Sequence, residues 1–552
     1  MKPSVLVIGA GASGSMAVLG ALQAGAEVTL ISRTWPVRSN SASSGEGLGV
    51  SILGRGDCAQ AFIDDVMRAS VNPVDHNFVK RMCESSEAVL GFLVRIGVPF
   101  DRTCEGALKG FETFGASFPR LYRRSTITGN LVMRALTGQL LRESSLGRAN
   151  LFFGWEFLSP IIDENGMARG AVAVNCRNME IRAFRADAII IASGGYPSIY
   201  EKSSGSILSD GSAIVACYKR GASIANPEAV SVSPFGIRVA SRMSCVSDAF
   251  ICGNARPFLA EGSDRNYFLE GKSPSELNHS TICRIIDGAG VDKKHANVGI
   301  DISGADLSML DKYFERDVSA LLSSAGAKSI DEPILVHSCV KGSLGGLLVD
   351  ENHAVNLPGL FAAGDAAAAG YGGCSMEGIS LLSSLYGGHV AAKSAVRYAQ
   401  GSVRALGDAG KSLFDKAVEA QEDENARIAS RDGGKNPRML SKKLAMFMQD
   451  AFLSNSSAKK SAELREKFFI LKDEILGAAL LSRSEWANAE LIFVRRLAGR
   501  LELCEIILDA VRRRATKDGA ESSDDLEIAE CSKVVVVNHA EGGARFDFSE
   551  RL

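Results

Sequence analysis

No Cys-x-x-Cys pair occurs anywhere in the 552 residues, although there are 12 cysteines, scattered from Cys58 to Cys531. A zinc ribbon or a chain-borne iron–sulfur cluster needs thiolates at short spacing, so neither is expected; reduced, mostly buried thiols are. No apolar run approaches the roughly 18 residues of a membrane span. A charged segment leading into a short apolar stretch, the mark of a secretory signal, is also missing, because the first strand begins almost at once. A cytoplasmic chain without a direct membrane span is therefore expected. Charge of one sign is scarce too: the formal net charge is −2 and the signs are mixed. That leaves no basic footprint for nucleic acid and no acidic tail. No internal repeat is visible, and the length allows two or three domains.

What is present is concentrated in the first thirty-odd residues. Val5-Leu6-Val7-Ile8 is an apolar, β-branched run suited to a buried parallel strand. Gly9-Ala10-Gly11-Ala12-Ser13-Gly14 follows, then a predicted helix over 13–24 and a second strand over 27–31. Strand, GxGxxG, helix and strand in this order predict a dinucleotide site. Gly9 permits the turn, Gly11 lets a pyrophosphate approach the backbone, and Gly14 brings helix and strand together. The diphosphate would sit on the helix N-terminus. The second strand ends in Ser32-Arg33 rather than the acid that usually holds a ribose. This disfavours a simple NAD dehydrogenase and leaves FAD open, since Ser32 can still make one hydrogen bond.

Farther along, the Ser- and Gly-rich stretch 41–49, including Gly47, reads as a loop wrapped around something. Residues 57–96 read as two helices split at Asn72-Pro73, and 125–142 as another helix. Strands are expected at 152–162, 170–176 and 186–192, the last running into Ser193-Gly194-Gly195, where backbone can approach a ligand closely. Asp210 has two readings, a cap on the helix 212–220 and a cofactor contact. Residues 229–335 lose the α/β rhythm and read as an inserted second domain. The rhythm returns at 347–349 and at 360–365, which ends in Gly364-Asp365, before a helix over 380–398 that opens on Ser380, Leu381 and Leu382. Charged helices follow over 413–430, 439–452, 462–481 and 491–515, then a polar linker, a strand at 533–537 and a short tail.

Together these segments resemble the flavoprotein subunits of succinate dehydrogenase and fumarate reductase, with L-aspartate oxidase and adenylylsulfate reductase as wider relatives. Ser32-Arg33-Thr34-Trp35-Pro36-Val37-Arg38-Ser39 is similar to that family's Ser-Lys-x-x-Pro-x-Arg-Ser run, and Gly97-Val98-Pro99-Phe100-Asp101-Arg102 to its Gly-Val-Pro-Phe-x-Arg. Ser193-Gly194, Asp210-Gly211, the run ending at Asp365, and Ser380-Leu381-Leu382 match its flavin segments in order. The resemblance implies an α/β chain: a Rossmann-like FAD-binding domain (1–228 and 336–407), an inserted α+β capping domain (229–335) and a C-terminal helical bundle (408–516). Residues 517–552 would be linker, final strand and tail.

The departures are as informative. In the family a histidine after the Arg-Ser pair carries FAD covalently; Asn40 stands there, and an amide cannot form that bond, so non-covalent FAD is implied. The histidine of a His-Pro element is Ser233, before Pro234. The histidine preceding Met-Gly-Gly is Lys341, before Leu344-Gly345-Gly346. The clamping arginine before Ser-Leu-Leu aligns with Ser375. A shuttle arginine corresponds to Arg256. Bidentate Arg and His donors fix a dicarboxylate, and serine cannot supply that charge. The chain is therefore read as an FAD-dependent oxidoreductase acting on a small molecule other than succinate or fumarate, with Lys341 and Arg256 as candidate substrate or proton groups. Lys341 also has a purely structural reading, His337 reads equally as a core histidine, and Glu377 and Ser375 as helix caps. With no cluster motif, electrons would pass through a separate iron–sulfur subunit. The rival reading is a flavin-bearing relay or scaffold subunit with no organic substrate.

Overall fold

The computed structural model describes residues 2–53, 56–70, 74–239, 242–246, 255–261, 264–277, 282–283, 285–286, 298–303, 332, 334–368, 370–373, 376–401, 411–432, 434–453, 458–517, 533–540 and 543–549. Its centre is a five-stranded sheet, in the order Leu360–Ala362, Ala188–Ile191, Ser4–Ile8, Glu27–Ser32 and Ala149–Phe153. Every pairing is parallel, with Val5 opposite Ala188 and Val28. A parallel sheet is buried on both faces, which is why Val5, Leu6, Val7 and Ile8 are all buried rather than alternating.

The opening helix Ala12–Gln23 and the later helix Ile379–Gly401 pack directly against each other. Small residues set their spacing. A Cβ on Gly388 would stand 2.2 Å from the Ser13 carbonyl oxygen, so only glycine lets the two backbones come this close. The pair packs on one face of the sheet, and the starts of both helices stand at the strand ends, where open α/β sheets bind ligands.

Sequence expectations and structure differ at several places. The predicted strand over 152–162 is two strands, Ala149–Phe153 and Trp155–Ile162, because Gly154 lies between them at φ +82° and turns the chain. The second of these pairs with Ala168–Asn175, which pairs with Ile181–Arg185, a strand the sequence reading passed over. The stretch 41–49 is not all loop: a single turn of helix, Asn40–Ser43, is capped by the Ser39 hydroxyl. The split expected at Asn72-Pro73 lies outside the described residues; described helices flank it at Ala59–Ala69 and His76–Arg95.

Residues 229–335 contain strands in their described parts. Val230–Val239 lies between Arg242–Cys245 and His337–Ser343, and Arg256–Glu261, Asp264–Asn266, Val298–Asp301 and Ile334–Leu335 form a second antiparallel sheet. Ser, Cys and Pro interrupt these strands, which hides the period-2 pattern in the sequence. Toward the C-terminus the helices are Lys411–Ala429, Pro437–Leu453, Ala458–Leu476 and Ala489–Lys517. The expected final strand and tail are both strands, Val534–Ala540 and Gly543–Ser549, joined as a hairpin that pairs with Ile224–Ala225. Among the described residues no helix is long and apolar enough to cross a membrane.

Candidate functional site: a cavity at the strand ends

The residues singled out by sequence converge on one cavity of about 700 Å³. Gly9, Gly11 and Ser13 line it from the first turn, Ser32 and Arg33 from the end of the second strand, Ser39 and Asn40 from the following segment. Ser193, Gly194 and Asp210 close another side; Lys341, Asp365, Ser380 and Leu381 close a third. Ala12, Gly14, Gly47, Gly364 and Leu382 stand behind this lining rather than in it.

The three glycines of the first turn are needed for different reasons. Gly9 has φ +104°, and a Cβ there would stand 2.3 Å from the Ala192 carbonyl oxygen. A Cβ on Gly14 would stand 1.8 Å from the Gly9 carbonyl oxygen. Both are required by the protein's own packing. A Cβ on Gly11 would meet nothing nearer than the Ser41 hydroxyl at 3.4 Å, so here the free space belongs to the cavity. Gly11 opens the helix without any side-chain cap. The N–H of Ala12 donates to Ser41 Oγ at 3.2 Å. A helix start whose N-cap residue has no side chain, with one N–H shared with a serine hydroxyl, is suited to a diphosphate.

Arg33 faces Glu156, with Nε to carboxylate oxygen at 3.3 Å, and its Nη1 is buried with no hydrogen-bond partner among the described residues. Burial pushes the Glu156 carboxyl up to about 7 against the pull of Arg33. Arg496, from the C-terminal helix, reaches the same wall: its Nη2 lies 2.7 Å from Asp210 and its Nε 3.7 Å from Glu156. Asp210 also accepts from the N–H and hydroxyl of Ser212, so it does what a helix-start residue does and holds Arg496 as well; burial raises its pKa. Ser32 donates to the Thr34 carbonyl at 2.8 Å. Asn40 accepts from the Ser206 N–H at 2.9 Å and so ties two loops of the cavity together. The Asp365 carboxyl is raised to about 6 by burial and then by the charge of Glu46. An unpartnered guanidinium nitrogen, an open glycine and a helix start without an N-cap side chain fit the phosphates and polar edges of FAD.

On the remaining side, Lys341 donates to Glu46 at 2.7 Å. Ser233 is buried and is not in the cavity lining; its hydroxyl accepts from the Phe235 N–H at 3.4 Å. The sequence reading paired Arg256 with Lys341; the structure does not bring them together. Arg256 is not in the cavity lining: its guanidinium lies 3.3 Å from Asp301 and 4.4 Å from the centre of the Tyr267 ring. Its strand belongs to the second sheet of the inserted region, which carries it away. Ser375 lies outside the described residues, Glu377 is buried in the cavity wall, and His337 is not in that wall.

Sequence reasoning missed Glu46, Glu156, Cys245 and Arg496, all of which line the cavity. Glu46 carried a signal, since it lies in the Ser/Gly stretch read as wrapping something. The others carried none. Cys245 lies 3.4 Å from Cys339, sulfur to sulfur, and donates to Ser204 Oγ at 3.3 Å. The hydrogen bond with Cys339 and then the Lys341 ammonium hold the Cys245 thiol below the usual range, while Cys339 is raised.

Comparison with known proteins agrees with this geometry. A family described as "FAD binding domain" matches residues 4–381. The succinate dehydrogenase flavoprotein subunit of Bacillus subtilis (strain 168) is 31% identical over 536 residues, covering 95% of this chain and 91% of its own. In solved structures, a quinol fumarate reductase chain from E. coli superposes with a TM-score of 0.88 at 18% identity, covering 100% of this chain and 97% of that one. Adenylylsulfate reductase from Archaeoglobus fulgidus superposes with 0.75 at 16% identity, covering 100% and 96%. The chain belongs to the FAD-binding family of succinate dehydrogenase and fumarate reductase flavoproteins. It is an FAD-dependent oxidoreductase.

Proposed function

We propose that this oxidoreductase holds FAD without a covalent bond, acts on a small molecule other than succinate or fumarate, and exchanges electrons with a separate iron–sulfur protein. The observation that carries the substrate reading is the Lys341–Glu46 ion pair. The lysine that replaces a family histidine is already ion-paired with Glu46 in the cavity, and Ser233 spends its hydroxyl on the backbone. No bidentate donor is left at these positions to clamp a dicarboxylate.

FAD, when bound, supplies hydride transfer. The chain's own groups hold and orient it. Gly11 and the N–H groups at the start of Ala12–Gln23 would take the diphosphate. Arg33 Nη1 would donate to the cofactor, and Glu156, itself beside Arg496, keeps that arginine in place. Asp365 would accept from a hydroxyl, and the start of Ile379–Gly401, with Ser380 and Leu381, would face the flavin. Asn40 has only an amide to offer at the position of the family's covalent link. The domain division, 1–228 with 336–407 for FAD, 229–335 as cap and 408–516 as helical support, belongs to the same reading. The iron–sulfur partner is supported by the lack of a cluster motif here and by the relatives being named as subunits. A soluble cytoplasmic setting accords with the lack of long apolar runs.

The test is steady-state fumarate reduction and succinate oxidation on FAD-loaded protein. Two lost charge-assisted contacts at about 3 kcal/mol each lower the rate by roughly four decades. Turnover on the order of 10 per second would overturn the substrate reading. Acid denaturation should release yellow flavin into the supernatant; flavin that stays on the chain would overturn the non-covalent one.

A further inference from the structure

Two cysteines meet in a place that flavin binding does not explain. Cys245 ends one outer strand of the sheet formed with Val230–Val239 and His337–Ser343; Cys339 lies on the other outer strand. Cys245 is in register with Gly236 of the middle strand, and Cys339 with Ser233. The thiols of two strands separated by a third are ordinarily too far apart to touch. Here they stand 3.4 Å apart. The middle strand bulges between Ser233 and Gly236, and Gly236 leaves the intervening space empty: a Cβ there would be 2.7 Å from Cys339 Sγ. Cα atoms of the two outer strands also come within 8 Å of each other.

The two sulfurs differ in access. Cys245 lines the cavity beside Lys341 and Ser204, whereas Cys339 is 2% exposed and is not in the lining. One thiol can be reached and the other can be reached only by the first. We propose that Cys245 and Cys339 form a dithiol–disulfide pair that reduces a small disulfide entering this cavity, with Cys245 attacking and Cys339 resolving. The Cys245 thiolate attacks one sulfur of R–S–S–R, forms Cys245–S–S–R and expels one thiolate. Cys339 then loses its proton and attacks Cys245 Sγ, forming the internal disulfide and expelling the second thiolate. The sum is R–S–S–R plus two cysteine thiols giving two R–SH plus one cystine; a dithiol reductant restores the pair. The lowered pKa of Cys245 favours the first step and the ammonium of Lys341 stabilises the thiolate. Closing from 3.4 Å to the roughly 2.05 Å of a disulfide is a movement of little more than 1 Å.

The test uses the full chain, with and without FAD, and limiting 4,4′-dithiodipyridine, followed by non-reducing peptide mass spectrometry. Wild type should release two thiopyridones per pair and yield one linked peptide containing Cys245 and Cys339. Cys339→Ser should instead keep a pyridyl adduct on Cys245. Cys245 should react on the order of tenfold faster than exposed Cys58 and Cys104. Cys245→Ser should leave Cys339 unmodified in the folded protein. Dithiothreitol should reverse the wild-type link. A stable adduct on wild-type Cys245, or reaction no faster than at Cys58, would overturn the proposal. None of these readouts depends on the flavin or on turnover of fumarate, so this proposal and the substrate reading fail separately.

Discussion

Two walls of one cavity differ in kind. The wall built from the first turn, Arg33, Asp210 and the start of Ile379–Gly401 is held by constraints of backbone and burial: glycines with no room for a Cβ, an arginine nitrogen left open, carboxyls raised by desolvation. The opposite wall, with Lys341, Glu46 and Cys245, is made of side chains brought together from the Ser- and Gly-rich stretch and from two outer strands of one antiparallel sheet. The first wall can change little without losing the fold or the cofactor. The second can be rewritten one side chain at a time, and Lys341 in it is one of the departures from the family the sequence resembles.

The most severe way to probe that contrast is Gly14→Ala beside Gly11→Ala. The first puts a Cβ 1.8 Å from a carbonyl oxygen and should prevent folding or lower stability by more than about 3 kcal/mol; the second meets only a hydroxyl at 3.4 Å and should fold and melt close to wild type without cofactor. Chemical denaturation of the two apoproteins checks this, and equal losses would mean that Gly11 is also structural.

Next in size is a pH effect. Asp365 has its carboxyl raised to about 6 from 3.8, so the folded state binds more protons than the unfolded state between those values. Stability from this site is therefore full below about pH 4 and lost as pH rises through about 6, by at most about 3 kcal/mol. Asp365→Asn cannot titrate and should remove that fall. Urea unfolding of both apoproteins from pH 4 to 7 measures it; parallel curves would refute the assignment.

A smaller effect is expected from Arg33→Leu. Losing one charge-assisted bond of about 1.5–3 kcal/mol should weaken FAD binding by roughly ten- to hundredfold. Titrating apoprotein with FAD by fluorescence reads this directly, and an unchanged Kd would remove Arg33 from the cofactor wall.

The cofactor wall was legible in the amino-acid order because its logic is local. A strand, three glycines at fixed spacing and a helix N-terminus make a phosphate cradle whatever surrounds them. Ser193-Gly194 and Gly364-Asp365 follow the same rule, an apolar strand ending in small residues. The long C-terminal helices were legible for the same reason, since the helical period persists over several turns. The inserted region was not legible, because its strands are short, bulged and interrupted by Ser, Cys and Pro.

The rest depended on chain segments meeting in three dimensions. Arg496 and Glu156 are 340 positions apart in the sequence and share one wall. Arg256, which the sequence aligned with a substrate group, is drawn off to Asp301 by its sheet. Lys341 was legible as a free charge in the sequence; in the fold it is ion-paired with Glu46. Cys245 and Cys339 have no short-range motif and meet because a bulge and one glycine remove what would separate them. Local spacing determines where a backbone can cradle a phosphate; which side chains face each other across a cavity depends on strand register and burial, and those are properties of the packed chain alone.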